Sequence, residues 1–502
     1  MAQVFLQIIF GLQFDKKCIF MVVKSLGLKA FLVLPWVLGG VGEVQKTSLA
    51  TVVQPSSNYE ATVKNKPPLI SMNSGTTYYV SGSGNDNNNG RSASSAFRTI
   101  QKAANLTQPG DTVLIMNGEY RNSHSGHVVH ITRSGNANAW ITYKAHPGHS
   151  PKIKHNAWHG IEIDRGASYI EINGLEVEGN NANITLDYAR SQRNNGGNPL
   201  TNGNCITADG RKNGRSRHIR ILNNKVHNCG GGGINIIQSD YITIDGNEAY
   251  NNAWYSVYAN SGISMWQNWN SDSNTQGYKM IVTNNKTYNN RQNIQWIATG
   301  TITDGNGIII DDSRNTQNGS TLGRYRGRTL VANNITYRNG GSGIHTYESD
   351  QVDIINNTAV LNNQSPELSG GQIFAADSSD VKVLNNILYA FPGKRMNGNS
   401  RSTNITYDHN IYANNGNIVV RGANDIVADP QFVNLSNNDF QLKANSPAID
   451  KGSTWSMLKT DFAGKPRPSG TKYDIGAYEY QHSSTPTNPT TPNNPTPGCP
   501  SN

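Results

Sequence analysis

One strand-like phrase returns six times along the chain, and each copy closes on an asparagine: Ile219-Arg-Ile-Leu-Asn-Asn224, Ile242-Thr-Ile-Asp-Gly-Asn247, Met280-Ile-Val-Thr-Asn-Asn285, Thr329-Leu-Val-Ala-Asn-Asn334, Val352-Asp-Ile-Ile-Asn-Asn357 and Val381-Lys-Val-Leu-Asn-Asn386. The closing asparagines are 23, 38, 49, 23 and 29 residues apart. The shortest interval is one bare structural turn, and the longer ones are turns that carry insertions. Alternating β-branched residues give a period of two, the pattern of strands with one buried face. A helical solenoid would need a period near 3.6, which is absent. Asparagine tolerates the left-handed backbone of a sharp corner, and its amide can pair with copies of itself in stacked turns.

A second phrase precedes the first in each turn: Gly160-Ile-Glu-Ile-Asp-Arg165, Cys205-Ile-Thr-Ala-Asp-Gly210, Gly233-Ile-Asn-Ile-Ile-Gln238, Gly262-Ile-Ser-Met-Trp-Gln267, Gly307-Ile-Ile-Ile-Asp-Asp312 and Gly343-Ile-His-Thr-Tyr-Glu348. Short strands that recur each turn and stack in parallel predict an all-β solenoid, a β-helix. Its open end exposes strand edges that must be covered. Thr99-Ile-Gln-Lys-Ala-Ala-Asn105 has helix-forming composition and predicts a short N-terminal capping helix.

The chain of 502 residues is 35% hydrophobic and only 15% charged, with 50 glycines. That composition alone would permit disorder, but the apolar residues recur in evenly patterned runs, so a core is predicted. The formal net charge of +9 favours an acidic partner. That partner could be nucleic acid, anionic lipid or an acidic polysaccharide, and the absence of a Lys/Arg run or nucleic-acid module makes nucleic acid the weak option. Residues 1–43 read as an export leader, with a basic start at Met21–Lys29 and an apolar run over 30–38, so a secreted protein is expected. A polar spacer (44–75), the β-helix (76–480) and a Pro/Thr/Asn-rich tether (481–502) follow. No other run is apolar for long enough to span a bilayer, and a monomer is expected. Cys205 and Cys229 are 24 residues apart, about one turn. They could form a disulfide or remain two small buried thiols. No Cys/His spacing of metal-binding type is present.

The chain opens Tyr78-Tyr-Val-Ser-Gly-Ser-Gly-Asn85, Phe97-Arg-Thr-Ile-Gln-Lys-Ala103 and Pro109-Gly-Asp-Thr-Val113. It closes Ala428-Asp-Pro-Gln-Phe432, Phe440-Gln-Leu442, Ser446-Pro-Ala-Ile-Asp450 and Tyr473-Asp-Ile-Gly-Ala-Tyr-Glu479. These segments resemble the polysaccharide lyases built on a right-handed parallel β-helix, of the pectate-lyase and alginate-lyase types. The resemblance implies a right-handed, single-stranded parallel β-helix acting outside the cell on a polysaccharide, often an acidic one and often with calcium. The Trp-Ile-Asp-His and Asp-Gly-Phe-Asp elements of two pectate-lyase families are absent, as is the Gly-His-Gly of pectin hydrolases. No catalytic residue is therefore transferred by motif.

Alternation in the second phrase predicts two outward columns. The first runs Glu162, Thr207, Asn235, Ser264, Ile309, His345, and the second Asp164, Asp209, Ile237, Trp266, Asp311, Tyr347. Like-charged carboxylates this close repel unless a cation intervenes. Asp311, Asp312 and Glu348, and separately Asp164 with Asp209, are thus candidate calcium ligands. Trp266 and Tyr347 flank Asp311 and offer aromatic faces to sugar rings, with Gln267, Arg211 and Arg324 as polar substrate contacts. Insertions at 180–202, 268–277, 290–304 and 313–326 would wall the groove. Cleavage of a uronate chain by β-elimination needs a neutralised carboxylate, a base for the C5 proton and an acid for the leaving oxygen. His345, Lys212 and Arg314 are the candidate bases, and His345 needs no large pKa shift. Two other readings are a glycoside hydrolase that pairs Asp209 with Asp311 or Asp312, and a non-catalytic surface protein that binds glycans.

Overall fold

The computed structural model describes residues 75–212 and 214–482. The expected leader, the spacer up to residue 74 and the tail beyond residue 482 lie outside the described residues. Three parallel sheets run the length of the rod, two of 11 strands and one of 9. Sheet A extends from Thr77–Val80 to Thr403–Asp408, sheet B from Glu119–Arg121 to Ile426–Val427, and sheet C from His127–Ile131 to Asn397–Ser400. Each turn passes through C, then A, then B, as the turn Ile234–Ile237, Asp240–Asp245, Glu248–Tyr250 does.

Period two in the sequence becomes a stack of identical side chains in the interior. Ile206, Ile234, Ile263, Ile308, Ile344 and Ile373 pair rung to rung. All six are buried. Each such side chain contributes about 1.5–3 kcal/mol by leaving water. Between sheets A and B the corner is held by the predicted asparagine ladder. Asn224 Nδ2 donates to Asn247 Oδ1 at 3.1 Å, and the relay continues through Asn285, Asn334, Asn357 and Asn386 to Asn410. Residues Asn223, Asn284, Asn333, Asn356 and Asn385, just before the ladder, hold φ of 54–59°, the left-handed turn that asparagine tolerates.

A second ladder joins Asn252, Asn290, Asn339 and Asn362 and ends on Gln372. Its members repeat at 38, 49 and 23 residues, the same intervals as the first, so its signal was present in the sequence. The capping helix forms at Ile100–Ala104, where the Thr99 hydroxyl accepts from Lys102 N–H. Ile100, Ala103 and Ala104 close the core at that end. Cys205 and Cys229 form a buried disulfide between adjacent turns, which resolves the open alternative. Beyond the last rung, Phe432–Asn434 and Asp439–Leu442 pair in antiparallel fashion. The following segment docks on sheet B, with Ala477 N–H donating to Thr358 Oγ1.

Insertions leave the rod at both edges of sheet C. Residues 180–202 and 290–304 rise on the side facing sheet B, and 268–277 and 313–326 on the side facing sheet A. The outer face of sheet C is therefore the floor of a walled groove. One wall holds a cavity of about 410 Å³ between the insertion bearing Arg190 and Arg193 and that bearing Asn293 and Gly300.

Candidate functional site on sheet C

The register forms both outward columns. Trp266 pairs with Asp311 and Asp311 with Tyr347, while Ser264 pairs with Ile309 and Ile309 with His345. Trp266, Asp311, His345 and Tyr347 are all half-buried and border the groove floor. Trp266 is steadied by its indole N–H, 3.3 Å from Gln317 Oε1. The same glutamine donates to Asp311 Oδ1 at 2.9 Å. Gln317 belongs to the 313–326 insertion, and no repeat pointed to it.

Burial pushes the Asp311 carboxyl well above its ordinary value. The neighbouring carboxylates of Asp304, Asp312 and Glu348 push the same way, against the Gln317 hydrogen bond. Asp304, on the opposite insertion, is itself raised to about 6 by burial. A shift in this direction favours the protonated form, which can donate a hydrogen bond. His345 is tuned in the opposite direction. Burial lowers its pKa, opposed by the Phe374 carbonyl and Asp377. The Tyr347 ring lies 6.1 Å from the His345 ring. Burial raises its hydroxyl pKa, helped by Glu348, Asp377 and Asp311, so it keeps its proton at neutral pH.

The carboxylates expected to hold calcium do not gather into a cage. Among the described residues, Asp311, Asp312 and Glu348 are not a set whose ligand atoms all lie within 4.8 Å of one another. Asp312 sits at the left-handed corner after the strand (φ 47°) and is fully buried under the insertion. Its two oxygens accept from Gln267 Nε2, Thr316 N–H, Thr316 Oγ1 and Gln317 N–H. Gln267, expected to touch substrate, is buried in that contact. Glu348 Oε2 lies 3.1 Å from the same Thr316 hydroxyl, whose one proton it shares with Asp312. Asp209 is paired with Arg211 (2.7 Å), while Asp164 lies 3.4 Å from His130 Nε2. This donor set does not fit calcium.

The basic candidates separate in the same way. Arg314 and Arg324 both grip Asp350. The Asp350 hydrogen bond raises the Arg314 pKa, the wrong direction for a base. Arg211 faces Trp266, 6.0 Å from its ring, with its guanidinium on Asp209. Lys212 is exposed in the loop after Asn204–Asp209. Asp209 and Asp311 are three rungs apart in one column. That is about 14 Å, beyond the separation hydrolytic carboxylate pairs use, and Asp312 faces away.

Residues 78–371 match a family model described as Pel9A-like, right handed beta helix region. No curated protein matches the chain. Among solved structures, the chain is similar to pectate lyase Pel9A, at 18% identity over 80% of this chain and 96% of that one, with a TM-score of 0.49. It is also similar to the GH136 lacto-N-biosidase from Eubacterium ramulus (15% identity, 70% of this chain and 67% of that one, TM-score 0.44). A rhamnogalacturonan lyase follows at 14% identity, 78% and 99% coverage and a TM-score of 0.42.

Proposed function

The chain belongs to the Pel9A-like right-handed β-helix family, and from that premise we propose that it is a secreted lyase of acidic, uronate-containing polysaccharides. The observation that carries this reading is the grouping of His345, Tyr347 and Asp311 on one groove floor, where burial shifts each group in the direction that favours its uncharged form. The net charge of +9 supports an anionic substrate.

In this reading neutral Asp311 donates a hydrogen bond to the uronate carboxylate, which makes the C5 proton acidic. His345 removes that proton through Nε2. The electron pair forms the C4–C5 double bond, the C4–O bond breaks, and the leaving oxygen takes its proton from the Tyr347 hydroxyl. Trp266 stacks on a sugar ring beside the cleaved bond.

The test is incubation with pectate, alginate and glycosaminoglycans, followed in the ultraviolet band of unsaturated uronates. A rise in absorbance with one of them supports the lyase. New reducing ends without absorbance support a hydrolase, a reading favoured by the raised carboxyls of Asp304 and Asp311. Neither signal would leave a glycan-binding rod.

A further inference from the structure

The sequence has no Cys/His spacing of metal-binding type, yet the fold brings histidines against acidic or cysteine side chains of neighbouring turns. Among the described residues, three groups bring such ligand atoms within 4.8 Å of one another. His155, Cys205 and Cys229 form one, but its sulfurs are joined in the disulfide. Glu176, Glu178 and His227 form another, where Lys152 already lies 3.0 and 3.1 Å from the two carboxylates. The third is His127, His130 and Glu162, at the N-terminal end of sheet C.

We infer that His127, His130 and Glu162 form a binding site for a divalent first-row transition metal of the zinc class. The strand register puts His130 opposite Glu162. His127 Nδ1 lies 3.1 Å and His130 Nε2 3.9 Å from Glu162 Oε2. A tetrahedral ion with bonds of about 2.0–2.1 Å needs its ligand atoms about 3.3 Å apart, so small side-chain shifts suffice. Two imidazoles with one carboxylate suit zinc, cobalt or iron and not calcium or magnesium.

The surroundings have the supporting groups such a site uses. His159 Nε2 is 3.7 Å from Glu162 Oε1, and the other nitrogen of that ring is 3.1 Å from the Thr207 hydroxyl. Asp164 lies 3.4 Å from the same His130 Nε2 and adds negative charge beside the site, as a further oxygen within reach of an ion there. The three side chains are 20, 19 and 18% exposed. That exposure leaves a coordination position open to the groove, as in sites that take a further oxygen ligand rather than closed structural ones. Glu162 stands four rungs from the level of Asp311 on the same face, about 19 Å away. The site is independent of the proposed lyase chemistry.

The test uses the full chain, stripped with a chelator and titrated calorimetrically with Zn²⁺, with Co²⁺ as a spectroscopic probe. One equivalent should bind, and Co²⁺ should give visible ligand-field bands. His127→Ala/His130→Ala should weaken binding at least about 100-fold, while His227→Ala binds as the parent does. Absence of stoichiometric binding in the parent, or parental affinity in the double variant, overturns the proposal. Where far-ultraviolet circular dichroism shows the double variant unfolded, near-isosteric Glu162→Gln replaces it. Loss of affinity in that variant supports the site, and unchanged affinity overturns it.

Discussion

His345 Nδ1 lies 2.9 Å from the backbone carbonyl oxygen of Phe374, and the two rings stack at 5.3 Å. A carbonyl can only accept, so the proton sits on Nδ1 and the Nε2 lone pair is left available. His345→Ala should therefore lower turnover by about 10²–10⁴-fold with little change in KM, the pattern of a group used in the transition state. Burial also lowers this imidazole's pKa, so the active neutral form persists below 6.5. The acid limb of kcat/KM should fall below that value. An acid limb above it would remove His345 from the role of base.

Trp266 contributes a stacking face to ground and transition states alike. Trp266→Ala should raise KM about tenfold and leave turnover nearly unchanged. Ile237 pairs with Trp266 on the preceding rung and serves as the control. Steady-state kinetics should give Ile237→Ala near-parental turnover.

Asp311 separates the two chemistries. As a neutral donor to a substrate carboxylate it can be replaced by the amide of Asn, so Asp311→Asn should keep at least about a tenth of lyase activity. A hydrolase would need both Asp311 and Asp304 as proton carriers, and either Asn variant would then lose about 10²–10⁴-fold. Rates of the two variants on the best substrate decide the question.

Asn285 is fully buried and donates to Asn334 Oδ1 and the Ile244 carbonyl while accepting from Asn247. Truncating it strands polar groups above and below. Asn285→Ala should cost about 3 kcal/mol in denaturant unfolding, without moving the strand register. A loss below about 1 kcal/mol would show that water replaces the amide.

His155 is buried, and burial lowers its pKa from 6.5 to about 4 against a hydrogen bond to the Ala157 carbonyl. The unfolded chain binds this proton below about 6.5 and the folded one only below about 4. Its contribution is thus present above pH 6.5 and lost as pH falls toward 4. Between those limits the parent should lose up to about 3 kcal/mol more than His155→Asn. Parallel acid-loss curves for the two would contradict this.

Much of the molecule was legible because a β-helix repeats. A period of two assigns faces, and the recurring phrases assign register across turns of unequal length, so Trp266, Asp311 and Tyr347 could be stacked from the sequence. Both asparagine ladders follow the same arithmetic. The hydrogen-bond partner of each polar group was not legible, because the irregular insertions set it. The 313–326 loop folds back to saturate Asp312 and supply Gln317 to Asp311, and it brings Arg314 and Arg324 onto Asp350. Nor could the repeated phrases bring His127 and His130 to Glu162, because the strand His127–Ile131 carries neither phrase and only the register of the sheet places it beside His159–Ile163. Sequence alone determined which residues share a face, since side-chain direction along a strand is local. Only the tertiary structure decided which of them are buried, paired or open to ligand, since covering segments and charges arrive from parts distant in the chain.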